Sequence, residues 1–299
     1  METIALPNGR VLEYLLDGPA DGPALLVHHG TPGGAVRIPP VFAAAARHGL
    51  RTILAGRPGY GASTPRPERG IADVAPDVEI LLDALGVDDF LTLGWSGGGP
   101  HALACAALLP QRCRGVALLA GVAPHDGQGL DFSAGMCADN VAEFGFAAEG
   151  RAALEPLLIQ AAPAMATVTA EALTASPSDV FCDADRRAMA DGLDSFMIEV
   201  ASHGVSSGIA GWRDDDLAFV SGWGFELERV TCPVAVWHGT DDLMVPVGHG
   251  RWLGDHLTHA EVHVRPGHGH VSLLNESEAI LAWLIGAAGA PPERTGSVG

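Results

Sequence analysis

The chain contains no lysine. All 17 of its fixed cations are arginine, set against 36 Asp and Glu, for a formal net charge of -19 over 299 residues. Lysine-nucleophile and Schiff-base chemistry are therefore excluded. A negative excess of this size repels phosphate backbones and anionic lipid, so neither nucleic acid nor a membrane is an expected partner. No apolar run reaches the length of a bilayer span. Residues 1–7 lack the basic-then-apolar plan of a signal peptide. Cysteine is sparse. Cys105, Cys113, Cys137, Cys182 and Cys232 are odd in number, scattered, and show no Cys-x-x-Cys spacing. Buried or free thiols in a reducing cytoplasm fit that pattern better than disulfides or a zinc site, and no metal or cofactor is expected. Carboxylates cluster at Asp214-Asp215-Asp216. Three consecutive side chains point in different directions, so a solvated acidic turn is expected there rather than a metal site.

What is present is globular. Hydrophobic residues make up 47% of the chain and charged ones 18%, a balance that supports a sizeable core. Strands are expected at 11–17, 24–29, 51–55, 90–94, 115–123, 234–237 and 260–264, and Ala24-Leu25-Leu26-Val27-His28 is a continuous apolar run of the kind found in a strand covered on both faces. Helical patterns lie at 41–48, 75–85, 102–109, 247–257 and 275–285, and the Gly/Ala/Pro-rich end is expected to fray from Gly286. This alternation implies a mostly parallel central sheet with helices on both faces. The rhythm breaks after Pro124. Residues 125–227 carry helical patterns, including 152–162 and 186–202, and no buried strand. Met189, Leu193, Phe196, Met197 and Val200 form one stripe of the second. The expected organisation is an α/β core in two parts, 1–124 and 228–299, with a helical cap inserted at 125–227.

In such sheets ligands sit beyond the carboxyl ends of the strands. Three loops follow strand ends on that edge: His29-Gly30-Thr31-Pro32-Gly33-Gly34, Gly56-Arg57-Pro58-Gly59-Tyr60-Gly61, and Gly94-Trp95-Ser96-Gly97-Gly98. The last matches Gly-x-Ser-x-Gly, a sharp strand-to-helix turn that lifts a serine hydroxyl above the sheet and aims the first amides of the new helix at it. Pro100 is tolerated there, in a first helical turn that needs no donor from it. The plainer alternative is a Gly-rich turn carrying a solvated serine. In the reactive reading the Gly97 amide holds a developing oxyanion beside Ser96. The loop at His29 offers free amides for a second arm. Trp95 and His29 are expected around the substrate pocket, with His29 and His101 as hydrogen-bonding groups rather than bases.

A serine hydroxyl needs a base, usually an oriented histidine. Thirteen histidines are present, so position must discriminate. The strand ending at Val264 runs into Arg265-Pro266-Gly267-His268-Gly269-His270-Val271, where His268 and His270 both qualify. The strand ending at Trp237 runs into His238-Gly239-Thr240-Asp241-Asp242. A carboxylate there would fix the imidazole tautomer.

Serine, then acid, then histidine is the chain order of the α/β-hydrolase triad. Outside the cap and the tail the whole chain resembles that superfamily. It carries the His-Gly-x-Pro loop at His29, the Arg-Pro-Gly-Tyr-Gly-x-Ser loop at Arg57, the elbow at Ser96, the Gly-x-x-Asp loop at Gly239 and the Gly-His loop at Gly269. The resemblance implies the α/β-hydrolase fold. It selects Asp242 over Asp241 and His270 over His268, and assigns Thr31 the second oxyanion amide beside Gly97. It implies a Ser96–His270–Asp242 triad that cleaves a small-molecule carboxylic ester, or related acyl compound, through an acyl-enzyme. A serine in the elbow disfavours the epoxide hydrolases and dehalogenases, which use aspartate there. Proline iminopeptidases are similar, but their loop reads His-Gly-Gly-Pro-Gly and their elbow Gly-Gly-Ser-Trp-Gly. Here Thr31 replaces a glycine and Trp95 precedes the serine. An aminopeptidase of that type needs acidic residues for a substrate amine, and Glu143, Glu149, Asp183, Asp185 and Glu199 are candidates. A carbon–carbon bond hydrolase or lyase could run on the same triad, and a non-catalytic protein could use the same pocket only to bind a ligand. A small-molecule substrate is the one expected partner. Nothing in the sequence reports oligomeric state.

Overall fold

The computed structural model describes residues 1–175 and 180–289. Its centre is an eight-stranded sheet: β1 (Glu2–Ala5), β2 (Val11–Asp17), β3 (Ala24–His28), β4 (Arg51–Gly56), β5 (Phe90–Trp95), β6 (Cys113–Leu119), β7 (Val234–Gly239) and β8 (Ala260–Arg265). The strand order is β1-β2-β4-β3-β5-β6-β7-β8. The β1–β2 and β2–β4 pairs are antiparallel and every other pair is parallel. The short edge strand β1, which is mostly exposed, has no counterpart in the expected strands because a solvated edge leaves no apolar run to read.

Helices α1 (Pro39–Arg47), α2 (Val74–Ala84) and α3 (Gly98–Leu108) connect the first strands, and α10 (Val247–His256) and α11 (Ser277–Gly289) belong to the last ones. Between β6 and β7 come α4 (Ala138–Glu149), α5 (Arg151–Ala166), α6 (Ala170–Ala175), α7 (Asp183–Ala188), α8 (Asp194–Gly204) and α9 (Ala210–Phe219). No strand occurs there among the described residues. Residues 176–179 of the expected cap and 290–299 of the expected tail lie outside them.

The period of two along each strand sends alternate residues to opposite faces. On one face Leu26, Ile53, Val116 and Leu118 pack with Val78 and Leu81 of α2 and Leu103 of α3. On the other Leu25, Val27, Leu54 and Leu93 pack with Val41 of α1 and Ile280, Leu281 and Leu284 of α11. Both faces are buried, which is why these strands read as unbroken apolar runs.

Three expectations need correction. The helix expected at 186–202 is two helices, α7 and α8, separated by a wider turn over Met189–Leu193 in which Gly192 takes φ 119°. Of its apolar stripe, Met189, Leu193, Phe196 and Val200 are nevertheless buried, and Met197 is half-buried on a cavity wall. The strand expected at 115–123 ends at Leu119, and Ala120 turns to φ 49°. The last helix continues past Gly286 to Gly289, because Leu284 is buried and Ile285 and Ala288 pack against the same cluster.

Candidate active site

Ser96 sits between β5 and α3 with φ 55°, a left-handed conformation that costs a non-glycine residue free energy and persists only where its surroundings hold it. Here they do. The Ser96 N–H donates to the Leu119 carbonyl at 2.8 Å, and the Ser96 carbonyl accepts from Gly99 N–H at 2.9 Å. A Cβ on Gly98 would overlap the His28 carbonyl. The turn therefore needs glycine for close approach of backbone to backbone.

Ser96 and His270 line one cavity of about 580 Å³, together with Gly30, Thr31, Trp95 and Gly97. Most of the remaining wall is apolar and comes from the helices between β6 and β7, including Leu158, Met165, Met197 and Phe219. His270 Nδ1 lies 2.8 Å from Asp242 Oδ2. The other carboxylate oxygen of Asp242 accepts the N–H groups of Met244 at 2.9 Å and Val245 at 2.8 Å. That pairing fixes the carboxylate, puts the proton on Nδ1, and leaves Nε2 as the remaining ring nitrogen. Burial opposes a charged His270 ring, but the charge and hydrogen bond of Asp242, helped by the charge of Asp185, outweigh it and hold the pKa above the ordinary value.

The rivals lie elsewhere. The ring of His268 is 28% exposed, with Nδ1 3.2 Å from the Ser272 carbonyl and Nε2 3.8 Å from Glu276. Asp241 is exposed and accepts from Thr240 Oγ1 at 2.7 Å.

Thr31 and Gly97 both reach the cavity beside Ser96. Gly97 is the residue before α3, so its N–H is among the unfilled donors of that helix. A Cβ on Gly97 would stand 2.5 Å from Thr31 Oγ1 and 2.8 Å from Phe219, which measures how closely the two arms approach. Trp95 lines the cavity and donates from Nε1 to the His270 carbonyl at 3.3 Å. His29 does not line it. The ring is buried behind the loop, with Nδ1 2.7 Å from the Gly30 carbonyl and Nε2 accepting the Arg57 N–H at 3.1 Å. Burial and the Arg57 charge keep it neutral, well below the ordinary histidine pKa. His29 is thus a brace between two loops rather than a pocket residue. His101 is buried too, with Nδ1 2.9 Å from the Gly97 carbonyl.

The acidic run corrects its expectation. Asp214, Asp215 and Asp216 are all buried on α9. Asp215 Oδ2 accepts Arg57 Nη2 at 2.6 Å, Thr31 Oγ1 at 2.7 Å and the Tyr60 hydroxyl at 2.8 Å, while Oδ1 accepts Arg69 Nη2 at 2.6 Å. Arg57 also donates to the His29 and Gly30 carbonyls at 2.7 and 2.9 Å. Burial would raise the Asp215 pKa, but the two guanidinium groups reverse this and hold it well below the usual range. The loop that carries Thr31 is thereby tied to α9.

One face of α9 also lines the cavity, where Trp212, Asp216 and Phe219 follow helical spacing. The Asp216 carboxyl pairs with that of Glu143 from α4, and Glu143 Oε1 accepts Trp212 Nε1 at 2.7 Å. Two carboxyls in contact share a proton. Burial first, and then the Glu143 charge, push Asp216 well above the usual carboxylate range. Of the acidic candidates for an amine site, Glu143 lines the cavity, whereas Asp185 is turned to the His270 loop and Glu149, Asp183 and Glu199 are not on its wall. Asp216 was legible only through its i, i+4 spacing from Trp212.

The family described as alpha/beta hydrolase fold matches residues 23–277. A candidate carbamate hydrolase, RutD of Variovorax paradoxus strain S110, is 27% identical over 270 residues, 89% of this chain and 91% of that protein. A non-heme chloroperoxidase of Streptomyces lividans is 28% identical over 254 residues, 82% of this chain and 84% of its own. The solved structure of esterase RhEst1 from Rhodococcus sp. ECU1013 shares the fold, with a TM-score of 0.67 at 21% identity over 96% of this chain and 98% of that one. No helix among the described residues is long and apolar enough to cross a membrane. With its sheet order and its match over 255 of 299 residues, the chain belongs to the alpha/beta hydrolase fold family and is an enzyme of the hydrolase kind.

Proposed function

We propose that the chain hydrolyses small-molecule carboxylic esters, or closely related acyl compounds, through an acyl-enzyme on Ser96. His270 takes the Ser96 proton as the hydroxyl oxygen attacks the carbonyl carbon. Asp242 keeps the proton on Nδ1 and stabilises the imidazolium. The N–H groups of Gly97 and Thr31 hold the oxyanion. The tetrahedral species collapses as His270 delivers its proton to the leaving oxygen. Water, activated by the same imidazole, then attacks the acyl-enzyme and frees the acid and Ser96. The observation that carries this reading is the 2.8 Å pairing of His270 with Asp242, with His270 sharing a cavity wall with a serine held at φ 55°. The apolar wall suits an apolar acyl group. Residues 125–227 act as the cap over this site, flanked by core segments 1–124 and 228–299. The odd number and scattered spacing of the five cysteines suit a reducing, cytoplasmic setting.

A fluorophosphonate probe should label the protein at Ser96, and Ser96→Ala should abolish both labelling and turnover of p-nitrophenyl acetate. An unlabelled protein, or a Ser96→Ala variant as active as the parent, would sink the proposal. A second reading, an aminopeptidase, is favoured by the Glu143–Asp216 pair on an otherwise apolar wall. Faster turnover of prolyl-p-nitroanilide than of the acetate ester would select it.

A further inference from the structure

The first part of the loop bearing His270 is tied to the loop after β7, through Gly267 N–H donating to Thr240 Oγ1 at 2.9 Å and Asp241 N–H donating to the His268 carbonyl at 2.9 Å. It runs Pro266-Gly267-His268-Gly269 from the end of β8, with φ 74° at Gly267. Two glycines still loosen its backbone, while a general base must be placed to a fraction of an ångström. Its backbone donors reveal the restraint. Gly269 N–H donates to Ser272 Oγ at 2.8 Å. The next three N–H groups all go to one carboxylate from another part of the chain. Asp185 Oδ2 accepts His270 N–H at 3.0 Å, and Asp185 Oδ1 accepts Val271 N–H at 2.9 Å and Ser272 N–H at 2.7 Å. Asp185 lies on α7, in the insertion between β6 and β7, and is wholly buried.

A second, independent feature has the same origin. A Cβ on Gly269 would overlap Asp185 Oδ2 and the Cys182 sulfur. Glycine at 269 is thus what admits the carboxylate to its seat. The segment that carries Asp185 also forms part of the cavity, since Val180 and Phe181 line it just ahead of α7.

We propose that Asp185 is the positioning residue for the general base, gripping the main chain of His270 from the cap while Asp242 grips its ring from the core. This deepens the reading of His270 as base and rests on it. Asp185 also contributes negative charge beside the ring. The other groups facing His270 are Asp242 at Nδ1, Trp95 against the ring, Ser96 across the cavity, and His238 of β7. His238 is buried and held below the ordinary histidine pKa, so it adds no positive charge near neutral pH.

Asp185→Asn is the test. Its single amide oxygen can still serve Val271 and Ser272, but its NH₂ faces the His270 N–H, donor against donor. The kcat for p-nitrophenyl acetate should fall about 10- to 100-fold, the scale of a small misplacement of a catalytic group, with KM changed by less than about threefold. The acid limb of the kcat/KM profile should move to lower pH, because a negative charge that favours the imidazolium is gone. A role confined to fold stability would lower the melting temperature and leave that limb where it was. Gly269→Ala tests the same seat with Asp185 present, and should lower kcat by a similar factor by displacing the carboxylate. It is the deciding variant if Asp185→Asn does not melt cooperatively. Parental kcat and an unmoved acid limb in the folded variant would overturn the inference. A His270→Ala enzyme with parental activity would overturn both the inference and the reading beneath it, whereas an inactive His270→Ala beside a parental Asp185→Asn would overturn the inference alone.

Discussion

Removing Asp215 should cost this protein far more than removing a typical acidic residue. Its carboxylate is fully buried and receives Arg57, Arg69, Tyr60 and Thr31. In Asp215→Ala two buried guanidinium groups keep their charge and lose this acceptor. Breaking a buried ion pair on one side costs about 3–5 kcal/mol, and the stranded hydroxyls of Tyr60 and Thr31 act in the same direction. Against a total stability of about 5–15 kcal/mol, a loss of about 4 kcal/mol is large. At about 2 °C per kcal/mol for a chain of this size, the melting temperature should fall by about 8 °C. The internal control is Asp89→Ala, whose partner Arg114 is 3.1 Å away with both side chains 55% exposed. Such a pair contributes about 0–1 kcal/mol, so that variant should melt within about 2 °C of the parent. Thermal melts followed by far-ultraviolet circular dichroism at fixed pH and salt make the comparison. Ester turnover in Asp215→Ala should fall as well, because Thr31 loses one of its tethers. If Asp215→Ala melts as close to the parent as Asp89→Ala does, the network is not holding the two loops and the reasoning fails.

Asp242→Asn should keep the fold but lower kcat by about 10⁴-fold, because an amide with its oxygen held by Met244 and Val245 turns NH₂ toward Nδ1 and imposes the wrong tautomer. A loss under tenfold in steady-state turnover would contradict that role. The raised pKa of His270 places the acid limb of kcat/KM above the ordinary histidine value, since the base must be neutral to accept a proton. A limb below about 6.5 would count against His270 as the group observed. His28 and His249 are pushed down to about 3 and about 4 by burial, so the unfolded chain binds protons that the folded one refuses. Each group should remove about 2 kcal/mol of stability between pH 7 and pH 5, visible as a lower urea midpoint at pH 5. An unchanged midpoint would show that these rings are not held neutral. Asp216→Asn should favour neutral over cationic substrates in competition assays, and equal loss toward both would argue that the Glu143–Asp216 pair is purely structural.

Much of the fold was legible because its central strands are covered on both faces. Residues 24–28 are apolar at four of five positions and wholly buried, so their pattern is dictated by the core alone. The elbow was legible for a related reason, as the steric needs of a backbone crossing are written in glycine. The supporting polar groups were not legible. Asp215 sits in an acidic run that looks solvated until Arg57 and Arg69, distant in the chain, are brought to it. Asp185 serves amides 85 residues and more away, and a side chain that bonds to backbone leaves no partner residue type to search for. His29 misled for the opposite reason. It belongs to a loop that does reach the cavity, but its ring turns inward to the Arg57 amide.

Strand β6 pairs directly with β7, in register from Val116 opposite Val234 to Leu119 opposite Trp237. Everything between them leaves and rejoins the sheet at neighbouring points, so this stretch could be transplanted between relatives without re-threading the core. A transplant would nevertheless carry more than substrate preference. Asp185 and Asp215 would leave with it, and with them the struts beneath the base loop and the Thr31 loop. A chimera that exchanges this stretch alone is therefore expected to lose activity unless the donor supplies equivalent anchors at both places.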